Sequence, residues 1–268
     1  MKRIIYGLGA FLVLLFGIFW PSSALAQSKD ITILYDNRPF DPACTTDWGF
    51  SCLINGFAKT ILFDVGGNED IFLKNVKALN VDLKQTPILV ISHSHSDHSE
   101  AINAFLNLKP PVEVYLPDDI VLTPNVRVLR QRVEKAGVVS HVVKTPTEII
   151  PHVFLTGTMG LAIREQSLVL DTDRGLVVIT GCAHPGIVDI VKKARSIVNK
   201  DIDMLLGGFH LLDTPESKIK DIIAQFKANK VKRVGATHCT GDKAIQMIKE
   251  AYGKDFVELG VGKRIILK

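Results

Sequence analysis

The sequence has no surplus of either charge, no low-complexity tract, no residue-level repeat and no Gly- or Pro-rich linker. Each absence excludes something. The formal charge is +4, and two of the cations, Lys2 and Arg3, stand in a leader that carries no acid, so the rest of the chain holds +2. That balance leaves no electrostatic footprint for a nucleic-acid partner. Without a composition break, the chain after the leader reads as one domain, and 47% hydrophobic residues over 268 positions exclude disorder. Cysteine is scarce, with four residues. None directly follows the leader, which argues against a lipid-anchored form.

What is present begins with that leader. Lys2-Arg3 forms a short basic start, Ile4 to Trp20 is an unbroken apolar and Gly run, and Ala24-Leu25-Ala26 is a small-x-small cleavage site. Residues 1–26 are therefore expected to be a signal peptide, with the mature domain at 27–268 and a periplasmic or secreted location. The alternative is an uncleaved anchor, since the run touches the lower limit of roughly 17 to 25 residues for a spanning helix. Pro21 and the Ala-Leu-Ala tripeptide favour cleavage, which leaves no stable membrane partner. An exported chain can keep disulfides, and Cys44 with Cys52, flanking Asp47-Trp48-Gly49, is the pair close enough in sequence to suggest a small bridge.

From Asp30 onward, short apolar runs alternate with amphipathic stretches. Strands are expected at Ile31 to Tyr35, at Ser51 to Asn55 and Thr60 to Phe63 as a hairpin turning at Gly56, and at Ile88 to Ile91, Val112 to Tyr115 and Val138 to Val143. The second half repeats the theme at Val153 to Leu155, Ser167 to Leu170, Leu176 to Ile179, Met204 to Leu206 and Val231 to Val234. Helical spacing appears around Ile71 to Leu79, Ala101 to Leu106, Ile187 to Val198, Pro215 to Ala228 and Asp242 to Ala251. The class is α/β, with two packed mixed sheets and helices outside.

The densest chemistry is His93-Ser94-His95-Ser96-Asp97-His98, directly after the run Ile88 to Ile91 and Ser92. Three imidazoles and a carboxylate in six residues form a concentrated set of metal ligands. Of the eight histidines, His93, His184, His210 and His238 each close an apolar strand, usually through Gly. Ligands gathered on loops at one edge of a strand scaffold share that position; scattered core or surface histidines do not. His141 and His152 lack the pattern and read as structural or surface residues. In an extended segment side chains alternate, so His93 and His95 point the same way and suit one ion, while Asp97 and His98, entering a helix, address a second.

These residues resemble the metallo-β-lactamase-fold superfamily. His93-x-His95-x-Asp97-His98 is similar to its central motif, Asp64 after Ile61-Leu62-Phe63 to its first, and His238 after a late strand to its last. Gly181-Cys182-Ala183-His184, Gly207-Gly208-Phe209-His210-Leu211 and Thr237-His238-Cys239-Thr240-Gly241 resemble the branch of dihydropterin-aminobenzene-ribofuranosyl-phosphate synthase-related proteins. The resemblance implies a four-layer αβ/βα sandwich with two divalent metal ions, Zn or else Fe or Mn, between the sheet edges. The chain departs from the superfamily pattern at two points: Thr156-Gly157-Thr158-Met159-Gly160 lacks the usual histidines, and Cys182 stands where a bridging Asp is common. His184 is expected to replace the third ligand of the first ion. Cys182 is either a soft ligand or a packed small hydrophobe, with packing favoured. His210 is either a ligand of the second ion or a donor to a substrate oxyanion.

The implied activity is that of an exported hydrolase in which a metal-activated hydroxide attacks a carbonyl or phosphoryl centre of a small substrate, anionic or neutral, of the ester, lactone or phosphoester class. Asp97 both ligates and orients the nucleophile, and Asp64 holds a ligand histidine in its correct tautomer from behind. Lys243, at the start of the helix after Gly241, is either an anion contact or a solvated residue. Trp48 and Phe50, with the loops Asp36 to Trp48 and Pro117 to Pro124, are candidates for the cleft rim. The competing reading is a non-enzymatic exported metal-binding protein on the same scaffold. Asp97 speaks against it, because storage needs no ligand that also positions water.

Overall fold

The computed structural model describes residues 28–108, 112–119 and 123–267. The leader expected over residues 1–26 and part of the rim at 117–124 lie outside the described residues. The first half of the chain runs β1 (Lys29–Asp36), β2 (Phe50–Asn55), β3 (Ile61–Phe63), α1 (Glu69–Ala78), β4 (Ile88–Val90), the short turns α2 (Ser96–Ser99) and α3 (Ile102–Leu106), β5 (Glu113–Pro117), α4 (Pro124–Ala136) and β6 (Val139–Val143). The second half runs β7 (Thr147–Ile150), β8 (Val153–Leu155), β9 (Leu168–Thr172), β10 (Gly175–Thr180), α5 (Ile187–Ile197), β11 (Ile202–Gly208), α6 (Glu216–Ala228), β12 (Val231–Thr237), α7 (Asp242–Tyr252) and β13 (Arg264–Leu267).

Two mixed sheets result. One has the order β13-β1-β2-β3-β4-β5-β6 and the other β12-β11-β10-β9-β8-β7. In each, antiparallel pairs at one side give way to parallel ones: β3, β4, β5 and β6 run parallel in the first, and β10, β11 and β12 in the second. Parallel strands are buried on both faces and read as continuous apolar runs. Accordingly Ile179 and Val177 face the inter-sheet core with Phe63, Val90 and Leu206, while Val178 and Leu176 turn to the helices α5 and α6. A third cluster packs α1, α3 and α4 onto the outer face of the first sheet through Phe72, Phe105 and Leu129. Helix, sheet, sheet, helix are the four layers expected.

Three features depart from the pattern read along the chain. β13, the last strand, returns to the first sheet beside β1, pairing Ile31 with Ile265, so the two halves are not cleanly separate. α4 is an additional helix whose signals are local: Thr123 caps it, Pro124 opens it and Gly137 closes it in the left-handed conformation. Only Val126, Leu129 and Val133 of it are buried, and Arg127, Arg130, Gln131 and Arg132 between them obscure the stripe. Cys44 and Cys52 are free thiols. Cys52 lies in the inter-sheet core, where burial pushes its thiol well up, and Cys44 sits on the loop before β2, so no small bridge closes.

Candidate metal centre

Every expected ligand follows the carboxyl end of a parallel strand, where open α/β sheets place their sites. β3 runs into Asp64, β4 into the segment 92–98, β10 into Gly181 to His184, β11 into His210 and β12 into His238. These turns are tight. Asp64, Ala183, His210 and His238 all adopt positive φ, at 55, 62, 53 and 50°, although for residues other than Gly this costs roughly 1–2 kcal/mol apiece. Strain of this kind persists where surrounding contacts over-determine the loop, and it concentrates at functional sites.

Two groups of donors form. In the first, the rings of His93, His95 and His184 stand at 4.7, 4.8 and 4.8 Å from one another, centroid to centroid, a tripod around one point. In the second, His98 Nε2 lies 3.2 Å from both Cys182 Sγ and His238 Nε2. Asp97 Oδ2 completes it, 3.5 Å from His98 Nε2 and 3.2 Å from His238 Nε2. His93 and His98, with centroids 4.3 Å apart, join the two groups. The division of His93 and His95 from Asp97 and His98 is the one read from strand alternation. Cys182, for which the sequence favours packing, directs its sulfur at His98. It is buried, but among candidate ligands rather than in a hydrophobic cluster.

The donor set fits cations. Within each group the candidate atoms lie within 4.8 Å of one another, and Nε2 of both His93 and His184 is buried without a hydrogen-bond partner, a costly arrangement unless something accepts the lone pairs. Burial and the neighbouring imidazoles hold His93 well below its ordinary pKa and carry His184 down to about 3, so both are neutral, with lone pairs available. At His98 burial acts in the same direction, but the Asp64 and Asp97 carboxylates overcome it and raise the group to about 9. Asp97 is held far below the carboxylate range: burial opposes this, and the hydrogen bond and charge of His238 with the charge of His98 prevail.

Behind the ligands stands Asp64. Its Oδ2 accepts from His98 Nδ1 at 2.7 Å and from Ser92 Oγ at 2.7 Å, and Ser92 Oγ lies 2.9 Å from His93 Nδ1. One carboxylate thus orients a histidine of each group. A Cβ on Gly181 would come within 2.2 Å of Ser92 Oγ, so the loops of the two sheets meet here only because that position is Gly.

His210 is exposed and its ring packs tilted against that of His184, with centroids 4.3 Å apart; it lies beside Cys182 and Cys239 and outside the second group. Trp48 reaches the site, its ring 4.9 Å from His238, whereas Phe50 is core. Lys243 faces Glu216 at 3.6 Å across α6 and α7 and lines a hollow of about 610 Å³ that contains none of the histidines; it is the solvated alternative. His141 binds Glu113 at 3.0 Å and His152 is exposed, both away from the cluster.

Sequence reasoning missed three supports. Asn37 Oδ1 meets His238 Nδ1 at 3.0 Å. Glu165, buried, accepts the N–H groups of Cys182, Ala183 and His184 at 3.0, 2.9 and 2.8 Å; burial pushes its carboxyl up to about 7 against those bonds. Cys239 Sγ lies against the Cys182 carbonyl at 3.6 Å. Of these, only Cys239 stood in a motif that marked it.

Two facing mixed sheets, helices outside and a histidine-rich cluster at the carboxyl ends of parallel strands define a metal-dependent hydrolase fold. The chain belongs to the metallo-beta-lactamase superfamily, whose family model matches residues 49–215. It is 30% identical to the 7,8-dihydropterin-6-methyl-4-(beta-D-ribofuranosyl)-aminobenzene-5'-phosphate synthase of Methanocaldococcus jannaschii, over 88% of this chain and 96% of that one. It is similar to the crystal structure of Tm1679, a metal-dependent hydrolase of the beta-lactamase superfamily, with 27% identity and a TM-score of 0.74 over 89% of this chain and 99% of that one. YhfI from Bacillus subtilis shares the fold, with a TM-score of 0.63 and 12% identity over 89% and 99%.

Proposed function

We propose that this chain is an exported hydrolase of a small, anionic ester, lactone or phosphoester, working with two divalent cations. The observation that carries the reading is the adjacency of the two donor groups: the tripod of His93, His95 and His184 stands beside Asp97, His98, Cys182 and His238. When bound, divalent cations acidify water to a pKa of about 7 and polarise a carbonyl or phosphoryl oxygen. Imidazole with carboxylate suits Zn, Fe or Mn alike, and the sulfur of Cys182 favours Zn.

The chain's own residues supply the rest. Asp97, 19% exposed at its side chain, stays ionised, and its carboxylate accepts a hydrogen bond from an attacking water and aims it. His210, at the open edge, donates to the oxyanion that develops on substrate. Trp48 supplies an apolar wall over His238. A cavity of about 310 Å³ opens beside His184 and His210, with Ile187, Phe209 and Leu211 as its floor and Lys192 and Lys218 at its rim. That size and lining suit a small organic anion. Lys2-Arg3, the apolar run and Ala24-Leu25-Ala26 support export with removal of residues 1–26, and among the described residues no helix is long and apolar enough to cross a membrane. The charge balance supports the absence of a nucleic-acid partner.

The test is a panel of p-nitrophenyl ester, lactone, thioester and phosphodiester substrates with metal-loaded and chelator-stripped protein. Turnover of at least one that vanishes on stripping and returns with Zn, Fe or Mn is the expected result. Stoichiometric metal with no turnover of any would favour a non-enzymatic metal-binding protein. A second reading rests on the synthase relative: condensation rather than hydrolysis. Formation of that relative's named product by this chain, with no hydrolysis across the panel, would favour it.

A further inference from the structure

Cys239 has no role in the site just described, and it adjoins two residues that do, Cys182 and His210. Their donor atoms, two sulfurs and an imidazole nitrogen, lie within 4.8 Å of one another. Both cysteines are buried, at 3% and 5% exposure, yet neither sulfur is enclosed as an inert packing atom. Cys182 Sγ faces His98 Nε2 and also meets the Cys239 thiol, whose sulfur is in turn engaged by the His210 side chain and backbone N–H and lies 3.6 Å from the Cys182 carbonyl. Room for the sulfur is kept deliberately open by Gly208, where a Cβ would come within 2.7 Å of Cys239 Sγ and 3.2 Å of the His238 ring. His210, held at positive φ beside His184, is exposed, so the trio has one open side.

We propose that Cys182, His210 and Cys239 form a third cation position, soft in character and joined to the second donor group through the Cys182 sulfur. Thiolate can bond two cations at once, so sharing Cys182 sacrifices neither group. Two sulfurs and one imidazole select Zn, Cu(I) or Cd over Mn or Mg. Three protein ligands with an open fourth position are the arrangement of a site that exchanges water or substrate, rather than of a closed structural one. The inference rests on the metal-binding part of the proposed function and not on its hydrolytic part.

The experiment is metal counting on the intact chain by native mass spectrometry, with Zn(II) and separately with Cd(II). Three cations per chain are expected. Cys239→Ser and His210→Ala are each expected to lose one cation, and the sulfur-to-cadmium absorption is expected to fall in Cys239→Ser. His210 is exposed, so its variant tests the site even where Cys239→Ser is poorly folded. His93→Ala is expected to lose a different cation and to leave the sulfur-to-cadmium absorption unchanged. A wild-type count of two, a count of three that His210→Ala leaves unchanged, or a Cys182–Cys239 disulfide in the metal-loaded chain would each overturn the third position. A count of two with turnover intact would do so without touching the hydrolase reading.

Discussion

Asp64 Oδ2 meets His98 Nδ1 at 2.7 Å with both side chains fully buried, and the same oxygen reaches His93 through Ser92. The carboxylate therefore fixes one ligand of each donor group. Asp64→Asn presents an amide where an acceptor is required and is expected to weaken metal binding at both groups by roughly 10–100-fold. Competition with a chromophoric chelator measures it. Loss confined to one group would show that the Ser92 relay carries nothing.

His93→Ala and His98→Ala are each expected to abolish turnover of any substrate the panel identifies. The fold should survive, because the two imidazoles, although buried, take no part in the three hydrophobic clusters. Far-ultraviolet circular dichroism alongside activity separates the two effects. Full activity in metal-stripped His93→Ala protein would refute the role of the first group.

Metal uptake should release protons. His98 is held protonated up to about 9 by Asp64 and Asp97 against the effect of burial, and a cation needs its Nε2 lone pair, so loading the second group expels that proton. Affinity there is expected to rise with pH through about 9, and to go on rising above it, because the Cys182 thiol, pushed well up by its hydrogen bond with Cys239 and by burial, must also lose its proton. His93 and His184 are already neutral, so those two ligands of the first group release none at neutral pH. Titration calorimetry in buffers of different ionisation heat reads the proton count directly, and heats independent of buffer would contradict the prediction.

Gly181→Ala places a methyl group 2.2 Å from Ser92 Oγ, which is tied to Asp64 and His93 and has nowhere to retreat. Overpacking of this kind costs about 1–3 kcal/mol. A lowered urea midpoint with unchanged slope is expected, together with weakened metal binding, since the displaced atom is the relay itself.

Glu165→Ala strips the acceptor from three consecutive N–H groups, those of Cys182 and Ala183 buried and that of His184 partly so, at about 1–3 kcal/mol for each buried donor left bare. Cys182 and His184 ride on that turn, so a cation should be lost from each group. Glu165→Gln retains one acceptor oxygen and is expected to keep part of the binding.

The fold was legible because its signals are local. Alternating apolar runs mark β1 to β3, the near-continuous run Leu176 to Ile179 marks a doubly buried strand, and Ile187 to Ile197 shows a clean apolar stripe. α4 escaped because its three buried residues are separated by Arg127, Val128, Arg130, Gln131 and Arg132, and β7 because it exposes its first two residues at a sheet edge. The site was legible where ligands share a short segment, as at His93 to His98, or a shared position, as at His184 and His238.

The sequence by itself determined which residue types close each parallel strand, and the extended segment from His93 to His95 already assigned two imidazoles to one side. Tertiary structure alone decided what stands opposite them. Asp64, 34 positions from His98, reaches it through the parallel pairing of β3 with β4, whereas Cys182, 84 positions away, and His238, 140 away, meet it only through the face-to-face packing of two sheets, with Gly181 at their meeting point. No periodicity records that registration. It is set by the close packing of the inter-sheet core, and for that reason Cys182 is a donor facing His98 rather than one more buried thiol.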